Sequence, residues 1–300
     1  MSNMSNITLA ALSDELAELT AAGAASVAQV IGARRSASGV VHGVDTVITT
    51  ARAIGREDGL RVSVAGGEPV DADLAGWDPA SGIAVLRARS AVNVPPPSLA
   101  DTEPRPGQIV LALARSWSNV LTVSAGVVAV VGGPLRTGRR RQIPRVIRVT
   151  APMHDGFAGG ALLDASGRLT GITTASAIRG FGIAIPASIA WAAASQVLTA
   201  GTPRRGFVGI GVQPVDLPAS QQPNGRTQGL LVVAVSAGSP ADAAGLIVGD
   251  VLLDFDGQPT ESPDDLLDLL GDRRVGQTIV ARILRGGAVR EVQVTVADRT

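Results

Sequence analysis

The stretch HDGFAGGALL, residues 154–163, decides how this chain is read. Its glycines let the backbone turn tightly and present two amide N–H groups to an anion. At the centre of the loop, where a nucleophile would stand, is Ala158. The stretch is either a catalytic loop without its attacking atom or a plain glycine-rich turn, and the rest of the chain decides between them.

The chain has 300 residues, enough for two domains. Hydrophobic residues make up 45% and aromatics only 2%, so the core is built from Val, Leu, Ile and Ala. Valine-rich runs favour strands, and 36 Gly with 18 Pro supply many turns. A formal net charge of zero argues against nucleic acid or an anionic membrane surface as partner. There is no cysteine, which excludes disulfides, thiol catalysis and thiolate metal sites. His42 and His154 lie far apart in sequence, so no metal and no cofactor is expected. The start, MSNMSNITLAALSDELAEL, lacks a basic beginning, and Asp14, Glu15 and Glu18 interrupt its apolar residues. It is not read as a signal peptide or membrane span, and a cytoplasmic protein is expected.

Leu9, Leu12, Leu16 and Leu19 recur at helical spacing, predicting an amphipathic N-terminal helix over about residues 8–22. From SVAQVIG onward the pattern changes to short Val/Ile/Thr runs such as DTVITTA, QIVLALAR and VLTVSAGVVAVVGG, separated by Gly, Pro and Asp. Many short strands at this density suggest a barrel or sandwich. PASIAWAAASQVLTAG reads as a helix closing this region, and GTPRRG as a linker. A second compact unit follows with its own strands and two short helices. Ser239-Pro240 and Ser262-Pro263 mark the helix starts, with Asp242 and Asp265 at capping-box spacing and Gly245 and Gly271 at the ends. Arg139–Arg140–Arg141 is read as a solvated loop.

The ordered series VITTARAI, DPASGIAVLRA, VSAGVVAVVGG, APMHDGFAGGALLDASGRLTGI and FGIAIPAS resembles the protease domain of the HtrA (DegP-like) serine proteases. RRGFVGIGVQPV, the SPADAAGLIVGDVLLDFDG stretch and ILRGG resemble the PDZ domain of the same family. The resemblance implies a mainly β protein, a chymotrypsin-like double β-barrel followed by an α+β PDZ domain. Its expected organisation is an N-terminal helical segment over 1–24, a trypsin-like domain over 25–200, a linker over 201–205 and a PDZ domain over 206–298.

The family's histidine base falls at Arg52, its orienting aspartate at Gly82, and its serine nucleophile at Ala158, preceded by Phe157 in place of asparagine. Acyl transfer needs a hydroxyl, a base and a group that orients the base. Ala158 has no heteroatom, Arg52 stays protonated and Gly82 has no carboxylate. A pseudoprotease is therefore expected, with Gly156, Phe157 and Ala158 as a vestigial oxyanion loop and no catalytic residue at the three positions. Arg52 either reaches solvent or binds an anion in the vacated cleft, with Phe157 filling space beside it. Ser81, Thr49, Thr50 and His154 are the nearby groups from which an active endopeptidase, the alternative reading, would draw its chemistry.

In PDZ domains a glycine-apolar-glycine-apolar loop offers N–H groups to a peptide carboxylate, and the ligand adds as a strand. Gly206, Phe207, Val208, Gly209 and Ile210 match that loop by resemblance, with Leu266 and Leu270 of SPDDLLDLL as the opposing wall. Those leucines are either groove or core. The expected partners are protein or peptide C-termini, and by resemblance a homo-oligomer (a trimer) or a larger complex. The expected work is peptide-binding scaffolding, chaperone-like holding or service as a structural subunit.

Overall fold

The run Ile109–Ala114 is apolar at every position, and the reason is that its strand is buried on both faces. In the computed structural model, which describes residues 8–32, 36–54, 59–64, 67–115, 119–136, 142–178, 180–200, 206–222, 225–270 and 274–298, the chain divides into two units, Met1–Thr202 and Pro203–Thr300.

The first unit opens with helix α1 (Leu9–Ala24), whose Thr8 side chain caps it by accepting from the Ala11 amide at 3.2 Å. Leu16 and Leu19 turn toward the core, while Leu9 stays exposed. Strands β1 (Val27–Ile31), β2 (Ser36–Val41) and β3 (Thr46–Thr50) follow. After the short helix α2 (Ala51–Ile54) come β4 (Arg61–Ser63), β5 (Val70–Trp77) and β6 (Ile83–Ala88). These six strands close a barrel in the order β1-β2-β3-β6-β5-β4.

A second barrel is built from β7 (Ile109–Arg115), β8 (Leu121–Gly132), β11 (Val146–Val149), β12 (Ala161–Asp164), β13 (Leu169–Ile178) and β14 (Phe181–Pro186). Its order is β11-β14-β13-β12-β7-β8, and a small pair, β9 (Leu135–Arg136) and β10 (Gln142–Ile143), stands apart. Helix α3 (Ala187–Ala200) ends the unit.

Strand alternation distributes each barrel's side chains between two cores. In β7, Val110, Ala112 and Ala114 fill the second barrel, while Leu111 and Leu113 join the layer between the barrels. That layer also receives Val27, Val40, Ile48 and Val85 from the first barrel and Ala190, Ala194 and Val197 from α3.

The second unit contains β15 (Gly206–Phe207), β16 (Ile210–Asp216), β17 (Gln228–Val235), α4 (Pro240–Ala243), β18 (Val251–Phe255) and β19 (Gln258–Pro259). It ends with α5 (Pro263–Leu269), β20 (Thr278–Arg285), β21 (Ala288–Thr295) and β22 (Ala297–Asp298). The sheet runs β16-β17-β18-β20-β21, so β16 is an edge, and β15 pairs with β22. Both short helices start as the sequence indicates. Ser239 caps α4, and Ser262 and Asp265 form a reciprocal capping box on α5. The Arg139–Arg141 run and the whole expected linker, 201–205, lie outside the described residues.

One ion pair holds the loop before β18. Arg285 donates from Nε to Asp250 Oδ1 at 2.6 Å and from Nη2 to Oδ2 at 2.7 Å, and the Ile247 amide donates to Oδ2 at 2.9 Å. Burial pushes the Asp250 carboxyl upward, but these donors outweigh it and hold the pKa below the ordinary value. A carboxylate depressed in the folded state stabilises at any pH above its unfolded value, about 3.9. That stability is lost as pH falls through this value toward the lower folded one. Replacing Asp250→Asn is expected to cost the second unit roughly 3 kcal/mol at neutral pH and to flatten its acid limb. Hydrogen exchange of the β18 amides between pH 3 and 7 measures both effects; unchanged protection would contradict them.

Candidate functional site

The fold brings Arg52, Gly82 and Ala158 to one place. Arg52 lies on α2, directly after β3, and is exposed. Gly82, at a φ of +72°, ends the turn from β5 to β6, and its carbonyl accepts from the Ala51 amide at 2.8 Å. The Ala158 methyl, 8% exposed, packs with Ala37 of β2 and Ala53 of α2. Three distant stretches of sequence therefore meet at the seam between the barrels.

The loop before β12 is wound differently from its sequence-based expectation. Asp155–Phe157 forms a turn of 3-10 helix. The Gly156 amide donates to His154 Nδ1 at 3.0 Å, Phe157 to the His154 carbonyl at 2.9 Å, and Ala158 to the Asp155 carbonyl at 3.1 Å. Gly159 donates to Thr173 at 2.8 Å and Gly160 to Phe157 at 2.9 Å. The expected oxyanion loop of Gly156, Phe157 and Ala158 is corrected accordingly: its amide donors are paired within the protein and do not converge on an outside anion.

The physical cause is Phe157. Its ring is 2% exposed and sits in the second barrel among Val110, Ile147 and Leu162, with His154 edge-on at 4.9 Å. Burying a phenyl group stabilises by about 2–3 kcal/mol, enough to draw the turn inward. Phe157 thus fills the barrel, not the space beside Arg52, which corrects that expectation too.

Ser38 fastens this loop to the first barrel. Its amide donates to the Ala158 carbonyl at 2.9 Å and its hydroxyl to the Gly156 carbonyl at 2.8 Å. The same hydroxyl accepts from the Arg115 amide at 2.8 Å, and Thr49 donates to the Ser38 carbonyl at 2.7 Å. Gly159, at a φ of +82°, passes so close that a Cβ there would stand 2.2 Å from the Ser38 carbonyl oxygen and from Thr49 Oγ1. The glycine is required both by its conformation and by the approach of β2 and β3.

Hydroxyls are plentiful around this seam. Ser38 and Thr49, and also Thr173, which donates to the Phe157 carbonyl, are fully buried and bonded to backbone. Ser81, beside Gly82, donates instead to a carboxylate, Asp78 Oδ2, at 2.6 Å. At the far end of β3, Thr46 Oγ1 lies 3.3 Å from His42 Nδ1. His42 packs on Trp191 at 5.3 Å, and burial holds its pKa below the ordinary value. His154 is exposed, and its Nδ1 already accepts from Gly156. Sequence reasoning named Ser81 but missed its acceptor; the Asp-x-x-Ser spacing of an Asx turn was the available signal.

In the second unit, Gly206 donates to the Leu270 carbonyl at 2.8 Å, so the Gly206–Ile210 loop begins at the end of α5. The Val208 carbonyl accepts from Ala241 at 2.9 Å and the Gly209 carbonyl from Ser236 at 2.8 Å. A trans peptide directs its N–H opposite to its C=O, so the Gly209 N–H points away from α4. Gly209 has a φ of +82°, and a Cβ there would lie 2.2 Å from Ser239 Cβ. Leu266 and Leu270, expected as a groove wall, are 5% and 6% exposed and packed in the core with Phe255 and Ile279. The short α5 must cover the sheet with those two side chains, while half-buried Leu269, Ile210 and Val212 pack against the same core.

A trypsin-like peptidase domain model matches residues 37–172, and a PDZ domain model matches residues 206–296. A probable periplasmic serine endoprotease, DegP-like, from Halomonas elongata is 31% identical over 259 residues, covering 84% of this chain and 54% of that protein. The serine endoprotease DegS of Escherichia coli is 29% identical over 265 residues, covering 84% and 73% respectively.

The chain belongs to the HtrA-type family.

Among solved structures, the HtrA-type protease AlgW with decapeptide superposes with a TM-score of 0.55 at 25% identity, covering 95% of this chain and 98% of that one. The serine endoprotease from Yersinia pestis gives 0.53 at 28% identity, covering 94% and 98%. This HtrA-type chain spans about half the length of the DegP-like relative.

These relatives correct two expectations. They are named serine endoproteases, so the three positions do not support classing the chain as a non-enzyme. The expectation set the loss of the three side chains at 52, 82 and 158 above the neighbouring Ser81, Thr49, Thr50 and His154, and the names of the relatives overturn that weighting. The cytoplasmic expectation is likewise withdrawn, since the DegP-like relative is named periplasmic.

The Ser38 hydroxyl both donates and accepts in a buried setting. Ser38→Ala is expected to cost the first unit about 2 kcal/mol, because it leaves the Arg115 amide and the Gly156 carbonyl without that partner. Chemical denaturation followed by tryptophan fluorescence gives the number, and a loss under 0.5 kcal/mol, the scale of a neutral surface change, would refute the hub.

Proposed function

We propose that this HtrA-type protein handles polypeptide, with the PDZ unit capturing the free C-terminus of an extended chain. The observation that carries this reading is the Gly206–Ile210 loop. Its Val208 carbonyl accepts from Ala241, which turns the Gly209 N–H away from α4, toward the side from which a carboxylate would approach. Beside the loop, β16 is a sheet edge with unpaired backbone groups, and half-buried Ile210, Val212 and Leu269 offer apolar contact at alternate ligand positions. AlgW, whose structure carries a decapeptide, is the relative that supports peptide binding. A location outside the cytoplasm follows the periplasmic name of the DegP-like relative.

The test is fluorescence anisotropy of labelled peptides ending in valine. Amidation of the peptide's C-terminus is expected to weaken binding at least tenfold, and Gly209→Ala to do the same by distorting the loop. Equal affinity for the free acid and the amide would remove the carboxylate from the account.

A second reading, serine endopeptidase, is supported by the relatives' names. In it the attacking oxygen belongs to a residue other than 158, since Ala158 carries only a methyl. Ser81 is the hydroxyl at the seam already hydrogen-bonded to a proton acceptor, Asp78. A fluorophosphonate probe and a casein digest examine this directly. Covalent labelling and turnover, both abolished in Ser81→Ala, are the expected signs; turnover that survives Ser81→Ala places the chemistry elsewhere.

A further inference from the structure

The edge strand β16 has a proline, Pro214, inside it. Its effect on a ligand depends on which way the backbone groups of β16 point. In an antiparallel pair, successive residues alternate, each sending its N–H and C=O together to one side or the other.

The bonds of the adjoining strand fix that phase. Val232 of β17 stands opposite Val212, yet its N–H donates to the Asp250 carbonyl at 2.8 Å and its C=O accepts from the Gly249 amide at 3.0 Å. Both groups of Val232 therefore turn away from β16, and those of Val212 turn to the free edge. Neighbouring bonds have the same phase. The Leu217 amide donates to the Thr227 carbonyl at 2.7 Å, and the Gly209 carbonyl accepts from Ser236 at 2.8 Å, both on the β17 side. Odd-numbered positions thus face β17, while Ile210, Val212, Pro214 and Asp216 face outward.

A chain end that places its carboxylate at the Gly209 N–H must run antiparallel to β16. Its last residue then lies opposite Ile210 and its third-from-last opposite Val212, each able to exchange two backbone bonds. The fifth-from-last meets Pro214, which has no N–H and carries a ring carbon in place of that hydrogen. This rung offers an acceptor and no donor, and the ring pushes the ligand carbonyl off the edge.

The opposite face of the edge has a second feature. The register passes from Gly211 opposite Ala234 to Val212 opposite Val232, so Val233 is the extra residue of a β-bulge. Val233 is 44% exposed, and its Cγ2 would stand 3.7 Å from a Cβ on Gly211. The ligand's penultimate residue lies opposite Gly211, which leaves bare backbone between it and Val233. A large side chain placed across an edge glycine covers such a gap.

We propose that the PDZ unit reads only a short chain end. The last three residues pair along Ile210 and Val212, and an apolar penultimate side chain covers Gly211 against Val233. Pro214 turns the preceding chain away from the sheet. The ligand class is a polypeptide whose last three or four residues are free, with no need of a longer extended segment. This rests on the PDZ reading above and adds to it a length and a side-chain preference.

The test is calorimetric titration of the full chain with two acetylated peptides, Val-Leu-Val and the same end preceded by five alanines. In the unaltered protein the longer peptide is expected to bind no more than about threefold tighter. Pro214→Ala restores the N–H and should tighten the longer peptide about fivefold, the worth of one hydrogen bond. The tripeptide should stay within about twofold in that variant, which also shows that the site is folded. Replacing the penultimate leucine of the tripeptide by alanine should weaken binding about fivefold, and less than twofold in Val233→Ser. Amide shifts are expected at Ile210 and Val212 and not at Asp216. A longer peptide binding tenfold tighter to the unaltered protein, or unchanged by Pro214→Ala, would overturn the length limit. An equal loss from the leucine change in both proteins would overturn the role of Val233. Failure of both peptides to bind would instead remove the PDZ reading itself, and this inference with it.

Discussion

The first unit depends on a hydrogen-bonded seam in which one residue of the first barrel, Ser38, is tied to the loop that precedes β12. Its amide, hydroxyl and carbonyl all take part, linking β2, β3, β7 and the 156–159 backbone. Apolar burial brings two barrels together without choosing their register, because it has no direction. Directional bonds at a buried point make that choice. Here they also fix where Arg52, Gly82 and Ala158 stand, so the geometry of the candidate site follows from the packing of the barrels.

That seam explains residues that a functional reading alone would misplace. Gly159 looks like part of an anion-binding loop, yet its bare Cα is needed because Ser38 and Thr49 press against it. Arg115, almost fully buried, has its pKa lowered by burial and spends its donors on the Asn119 and Ala24 carbonyls. It thereby ties the end of α1 to the end of β7, and β7 reaches Ser38. Gly23 allows the helix to lie against β12, since a Cβ there would stand 2.3 Å from Leu163 Cδ1. The helix runs through Gly23 to Ala24, two residues beyond the end at about residue 22 expected from its sequence.

Much of the architecture was legible in the sequence, for identifiable reasons. The strands of both barrels appear as Val/Ile/Leu runs because most are buried on two faces, and the α4 and α5 starts appear because Ser-Pro-x-Asp combines cap, first-turn proline and acid. The meeting of residues 52, 82 and 158 followed from motif order. What stayed illegible is the direction of side chains in irregular backbone. Nothing in Gly-Phe-Ala tells whether the ring enters the cleft or the barrel. Helical spacing put Leu266 and Leu270 on one face of α5 without saying that the sheet lay under it. The Val233 bulge is a matter of register, which a single strand's sequence does not specify.

Two Gly-Phe dipeptides in this chain show how strongly such a choice matters. Gly156-Phe157 and Gly206-Phe207 both open glycine-rich loops with amides to offer. In the first, the ring is swallowed by the second barrel, the turn closes, and the donors are consumed within the loop. In the second, Phe207 is only half-buried, and the following carbonyls are drawn inward by Ala241 and Ser236. The intervening N–H is thereby turned away from α4. Opening the first loop toward an anion would require removing a phenyl ring from the core, about 2–3 kcal/mol, besides breaking its internal bonds. The second loop incurs no such cost. On the function proposed above, the PDZ loop receives a chain end as it stands, whereas the loop at the seam would have to move before its amides could meet one.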